Sequence, residues 1–227
     1  MDSNINFAQY FDHSLLRPNA TREDFVTLCN ESMEYGFKMV AINPAAVILC
    51  KNLLKGSSVL VGAAIGFPLG QHTLNTKLYE TKDAIQNGAD EIDYVINIME
   101  LKSCMTQKYE FIKNEMRQIV DECKKSNVIS KVIFENCYLT EAEKEALCRI
   151  ALEVKPDFIK TSTGFGTDGA TLADIKLMKS IVGDAVQIKA SGGIRTLEDA
   201  ENMINEGITR IGTSSTVKIM NERKTKW

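Results

Sequence analysis

The sequence predicts an α/β protein, a single closed (β/α)8 barrel of the TIM type spanning residues 1–227. Three observations predict it. Short β-rich runs recur along the whole chain, segments with helical periodicity lie between most of them, and no Pro- or Ser-rich linker or low-complexity stretch divides the sequence. Alternating strands and helices imply parallel strands joined by helical crossovers. A chain of 227 residues suits such a barrel, which runs to about 250. An open, doubly wound sheet is the alternative.

Taken in order, the first run, "YFDHSLL", is the least convincing strand. After it come "FKMVAIN", "SVLVGAAIGF", "EIDYVIN", "VISKVIFEN", "DFIKTST", "AVQIKAS" and "RIGTSS". Threonines announce several of the helices. Thr140 with Glu143 fits a capping box before "EAEKEALCRIALEV". Thr171 precedes "LADIKLMKSIV", which Gly183 stops; Thr196 precedes "LEDAENMINEG", which Gly207 closes. The basic run "RKTKW" at the end reads as a solvated tail.

Hydrophobic residues at 44% and charged residues at 25% are ordinary for a water-soluble globular protein with a core of its own. A net charge of -3 gives no general field for nucleic acid or an anionic membrane. The amino terminus has no basic segment followed by an apolar one, and no apolar stretch approaches the roughly 20 residues of a membrane span. Six cysteines without a C-x-x-C pair fit reduced, mostly buried thiols in a cytoplasmic protein. With only His13 and His72, a histidine-based metal centre is not expected.

Strand alternation locates the chemistry, because successive side chains point to opposite faces. In "EIDYVIN", Ile92, Tyr94 and Ile96 form an apolar face, while Glu91, Asp93 and Asn97 share the other with Val95. In "AVQIKAS", Gln187, Lys189 and Ser191 lie opposite Val186, Ile188 and Ala190. Lys160 lies with Phe158 and Ser162. Both lysines sit near the carboxyl ends of the sixth and seventh strands, where barrels carry their active sites. A lone strand lysine more often snorkels to solvent or pairs with a carboxylate. Two on adjacent strands beside an inward Asp93 point instead to an amine forced to give up its proton. A free lysine, with a pKa of about 10.4, is less than about 0.1% neutral at pH 7. Desolvation and a neighbouring cation lower that value enough to make a nucleophile, whose chemistry is Schiff-base formation with a carbonyl.

Three late loops carry glycines and hydroxyls: "TSTGFG", "ASGGIRT" and "RIGTSS". Such loops, with a helix amino terminus, form the usual phosphate site of barrels. Gly192 and Gly193 before the helix starting near Thr196 fit that role, as do Ser214 and Ser215. Arg195 either adds charge or braces its loop. His13 reads as structural, Asn43 is open between substrate contact and loop, and Cys137 reads as a buried thiol.

With these residues in view, the chain resembles the deoxyribose-phosphate aldolase family over nearly its whole length. "FDHSLLRPNAT", "AINPAAV", "IGFPLG", "GADEIDYVINI", "KVIFEN", "DFIKTSTGFG", "KASGGIRT" and "RIGTSS" follow in the family's order. The resemblance implies a class I aldolase that needs neither metal nor cofactor. Its substrate would be a phosphorylated sugar, 2-deoxy-D-ribose 5-phosphate, cleaved reversibly to D-glyceraldehyde 3-phosphate and acetaldehyde. Lys160 matches the Schiff-base nucleophile, Lys189 the lysine that perturbs it, Asp93 an acid/base acting through water, and Asp12 an aspartate that organises the relay. Thr163, Gly164, Ser191, Gly192, Gly193, Arg195, Ser214 and Ser215 are the expected substrate and phosphate positions. Family members commonly form dimers or tetramers. Phe165, Asp168 and Thr216 depart from common family residues around the phosphate loops, and the chain ends without the tyrosine some members use as a proton carrier. A related Schiff-base barrel acting on another aldehyde pair, and a phosphate-binding barrel without catalysis, are the other readings.

Overall fold

The computed structural model describes residues 6–103 and 109–226. Its eight parallel strands close into a barrel in chain order. They are β1 (Phe11–Leu15), β2 (Met39–Ile42), β3 (Leu60–Ile65), β4 (Glu91–Val95), β5 (Ile129–Ile133), β6 (Phe158–Lys160), β7 (Gln187–Ser191) and β8 (Arg210–Thr213). The helices are α1 (Arg22–Tyr35), α2 (Val47–Leu53), α3 (Leu74–Gln86), α4 (Ile98–Ser103), α5 (Glu110–Lys125), α6 (Glu141–Val154), α7 (Leu172–Val182), α8 (Leu197–Asn205) and α9 (Thr216–Lys226). The least convincing strand of the sequence is therefore a full member. β1 pairs with both β2 and β8 and closes the cylinder.

Local chemistry accounts for the helix ends. Thr21 with Asp24, Thr140 with Glu143 and Thr196 with Asp199 each form a capping box, which satisfies amides that have no partner in the first turn. Gly183 ends α7 with φ of 52°, and Gly207 follows α8 with φ of 89°. Outward-facing strand residues such as Ile92, Tyr94 and Ile96 are fully buried in the apolar layer under the helices.

Two expectations need correction. The basic carboxyl-terminal run is helix rather than tail: α9 continues to Lys226, although Lys224 and Lys226 remain solvent-exposed. Arg223 lies 4.0 Å from the centre of the Phe7 ring, Lys224 lies 4.6 Å from Tyr35, and Lys226 pairs with Glu201. Cationic groups over aromatic faces hold the helix down. Cys137 is half-buried rather than buried, whereas Cys29, Cys50, Cys123 and Cys148 are buried; Cys104 lies outside the described residues. No helix among the described residues is long and apolar enough to cross a membrane.

Candidate active site

The site begins with strand register. Lys160 on β6 pairs in register with Lys189 on β7, and Lys189 with Arg210 on β8. Asp93 on β4 pairs with Lys131 on β5. Residues in register share a face, so four cations point into the barrel beside Asp93, Asp12 and Glu91. All seven are buried.

The charges form a closed ring. Asp12 meets Arg210 at 2.8 Å, and Arg210 meets Glu91 at 2.7 Å. Glu91 pairs with Lys131, and Lys131 with Asp93 at 2.7 Å. Asp93 Oδ2 accepts from Lys189 at 2.7 Å, and Lys189 returns to Asp12 at 2.5 Å. Each of these six groups has two partners of opposite sign. Lys160 hangs on the ring by one contact, 2.9 Å to the same Asp93 Oδ2 that Lys189 holds. Small residues leave room for this cluster. A Cβ on Gly212 would stand 3.0 Å from Lys189 Cε, and one on Gly62 would run into the Met39 sulfur at 2.4 Å.

Proton affinities follow from the arrangement. Burial works to raise Asp93, but Lys131, Lys160 and Lys189 outweigh it and hold its carboxyl well below the usual range. Asp12 is likewise lowered, burial being overcome by Arg210, Lys189 and Lys131. Lys131 is raised because Asp93, Glu91 and Asp12 outweigh its burial. Lys160 goes the other way. Burial, opposed chiefly by Asp93 and aided by Lys189 and Lys131, brings it to about 8. Removal from water is the largest cause. With a pKa of about 8, roughly a tenth of Lys160 is neutral at pH 7.

Lys160 opens on a cavity of about 440 Å³ at the carboxyl ends of the strands. Thr163, Gly164, Ser191, Gly192 and Gly193 line it. Arg195, Ser214 and Ser215 complete the set expected there. Asp93, Lys189 and Asp12 are buried beside Lys160 and are not part of the cavity wall. Gly192 and Gly193 have φ of 79° and 77°, a left-handed backbone that favours glycine. Gly192 also faces Gly169, where a side chain would collide with the Gly192 carbonyl at 2.3 Å.

One part of the phosphate expectation fails. The start of the helix near Thr196 is not offered to the cavity, because Asp199 accepts from the Arg195 and Thr196 amides and Glu222 from Leu197. The helix that starts beside the cavity is α9, directly after Ser214 and Ser215. The departures from the family pattern also resolve. Thr216 is buried and bonds His13 Nδ1 at 2.6 Å, while His13 Nε2 meets Glu31 at 2.9 Å, so both are structural. Asp168 caps the Gly169 amide away from the cavity wall. Phe165 does line the cavity, edge-on to Phe67 at 5.4 Å. Asn43 donates to the Leu16 carbonyl and braces a loop.

Sequence reasoning missed Lys131, Arg210, Arg17 and Glu135. Arg17 lines the cavity together with Arg195. Glu135, with φ of 57°, accepts the Thr163 amide at 3.0 Å and the Thr163 hydroxyl, which in turn accepts from the Phe165 amide. This carboxylate sets the shape of the loop after β6. Burial raises its pKa. The alternation test used on β4, β6 and β7 finds Lys131 and Arg210 when applied to β5 and β8.

Comparison with known proteins agrees with this geometry. The family model described as DeoC/LacD family aldolase matches residues 6–217. The deoxyribose-phosphate aldolase of Lactobacillus acidophilus is 54% identical over 94% of this chain and 89% of its own. That of Bacteroides thetaiotaomicron is 52% identical over 96% of this chain and 90% of its own. Among solved structures, "QR15, an Aldolase" superposes with a TM-score of 0.91 at 38% identity, covering 98% of this chain and 97% of that one. A tetrameric deoxyribose phosphate aldolase from Aeropyrum pernix gives 0.88 at 32%, covering 97% and 92%.

Proposed function

The chain belongs to the DeoC/LacD family of aldolases, and on that premise we propose that it splits 2-deoxy-D-ribose 5-phosphate reversibly through a Schiff base on Lys160. The free amine adds to the aldehyde carbon of the open-chain sugar, and loss of water gives an iminium. A base takes the proton of the C3 hydroxyl and the C2–C3 bond breaks. Its electron pair passes into the iminium, which leaves an enamine and releases D-glyceraldehyde 3-phosphate. Protonation of the enamine carbon and hydrolysis then return acetaldehyde and the lysine.

Asp93 and Lys189 move protons through water, and Asp12 fixes Lys189 from behind. Thr163, Gly164, Ser191, Gly192, Gly193, Ser214 and Ser215 hold the phosphorylated end, with Arg195 adding charge at the rim. The same reading takes residues 1–227 as one catalytic domain in the cytoplasm. It works as a dimer or tetramer; the Aeropyrum pernix relative is described as tetrameric.

The observation that carries the reading is the position of Lys160. It is buried, shares its one carboxylate oxygen with a second lysine, and faces a cavity. Borohydride reduction in the presence of acetaldehyde tests it. We expect an ethyl group on Lys160, located by peptide mass spectrometry; folded protein that remains unmodified refutes the mechanism. Phosphorylated and unphosphorylated deoxyribose, compared in a coupled assay, test the anion end.

A further inference from the structure

The ring has more members than the chemistry uses. Asp12, Glu91 and Asp93 supply three carboxylates, and Lys131, Lys189 and Arg210 supply three cations that close on them. Lys160 makes a fourth cation for three carboxylates. Arg210 and Glu91 are the first residues of their strands, neither lines the cavity, and neither touches Lys160. Glu91 Oε1 is buried without a hydrogen-bond partner among the described residues. Phe158, on the strand that carries Lys160, lies under both Arg210 and Lys131, at 5.5 and 5.8 Å.

We propose that Arg210 and Glu91 are positioning residues that keep the ring balanced without Lys160, and so set the pH at which Lys160 becomes a free amine. This inference rests on Lys160 being the nucleophile. The reasoning is a count of opposite charges in a space that water does not screen. Arg210 occupies Asp12 and Glu91. Those two carboxylates are then not free to satisfy Lys189 and Lys131 fully, both of which draw on Asp93 instead. Lys160 is left with a share of one oxygen.

The other charged groups near Lys160 do not change the count. Asp93 faces it from β4, Lys131 from β5, Lys189 from β7, and Glu135 from the turn after β5. Asp12 on β1, Glu91 on β4 and Arg210 on β8 stand one contact further away. Glu135 pairs with none of the cations and is engaged by Thr163. Arg17 and Arg195 line the rim of the same cavity.

The sign is testable because two substitutions act in opposite directions. Arg210→Met leaves three cations for three carboxylates, so Lys160 gains a partner. The pH midpoint of its reductive ethylation should rise by a unit or more, with the rate near neutrality falling at least about tenfold. Glu91→Gln keeps the shape and leaves four cations for two carboxylates, so the midpoint should fall. The double variant restores a surplus of one and should return the midpoint to within about half a unit of the parent. If Arg210→Met does not fold, Glu91→Gln and the double variant still decide. Single variants that move the midpoint the same way, or a Glu91→Gln variant that leaves it in place, overturn the proposal. Failure of the nucleophile assignment itself has a different signature. A Lys160→Met protein would then still be ethylated within the barrel.

Discussion

Among the described residues four lysines are buried, Lys77, Lys131, Lys160 and Lys189, and of these Lys77 and Lys160 make opposite uses of burial. Lys77 on α3 lies between the barrel and the helices, and Lys160 lies inside the barrel. Burial lowers both from the ordinary lysine value. Lys77 has Glu115 to itself at 2.7 Å and adds the Val95 carbonyl at 2.8 Å, while Glu115 also accepts the Asn97 amide at 3.0 Å. That pair ties α3 and α5 to the chain leaving β4. Lys160 instead shares one oxygen with Lys189 and opens on a cavity. A dry environment thus does not make an amine reactive by itself; a contested partner and an opening are needed as well.

Substituting Lys160 by Met should break the comparison most visibly. Activity should be lost, on the order of the 10⁴-fold or more expected when a covalent nucleophile goes. Stability should move the other way. With a folded value of about 8 against an ordinary 10.5, the unfolded chain binds more protons between those pH values. The charged, buried lysine therefore costs about 3 kcal/mol at pH 7, and that cost fades as pH rises toward 10.5. Urea titrations of Lys160→Met should show the gain at pH 7 and its decline at alkaline pH; a less stable variant at pH 7 contradicts the account.

Lys77→Met should have the opposite effect on stability. It strands Glu115 in an apolar layer and should lose about 3–5 kcal/mol, with the pH midpoint of Lys160 ethylation unchanged. A loss below about 1 kcal/mol would mean that the pair is not the clamp described. Smaller again is Lys189→Leu, which gives Asp93 Oδ2 to Lys160. Its ethylation midpoint should rise by a unit or more, about tenfold in rate near neutrality, and an unmoved pH profile removes the shared oxygen from the argument. Least affected should be Lys51→Met. Lys51 is a solvent-exposed partner of Asp90 at 2.6 Å, and exposed pairs contribute about 1 kcal/mol or less. Equilibrium unfolding of this variant supplies the baseline for the other three.

The sequence showed the barrel and its nucleophile because both are written locally. Strand alternation alone turned Asp93, Lys160 and Lys189 inward, and threonine caps fixed the helix starts. The ring was not legible in the same way. Lys131 sits between Ser130 and Val132 in a run that reads as an ordinary strand, and Arg210 opens the last strand next to a turn. Their importance comes from partners on strands far away in the chain, such as Asp12 for Arg210. The fate of α9 was hidden for a related reason. Nothing in "RKTKW" itself shows that Phe7 and Tyr35 lie under two of its cations. The phosphate expectation misplaced its helix because Asp199 and Glu222 had already claimed the amides.

The Met39 side chain has a consequence for hydration. Its sulfur fills the hollow beside Gly62 and lies 3.6 Å from both Lys131 and Arg210. The buried Phe158 ring packs against the same two cations, at 5.8 and 5.5 Å. A thioether and an aromatic ring thus take the place that water would need to solvate those two cations, and the buried charges are left to one another.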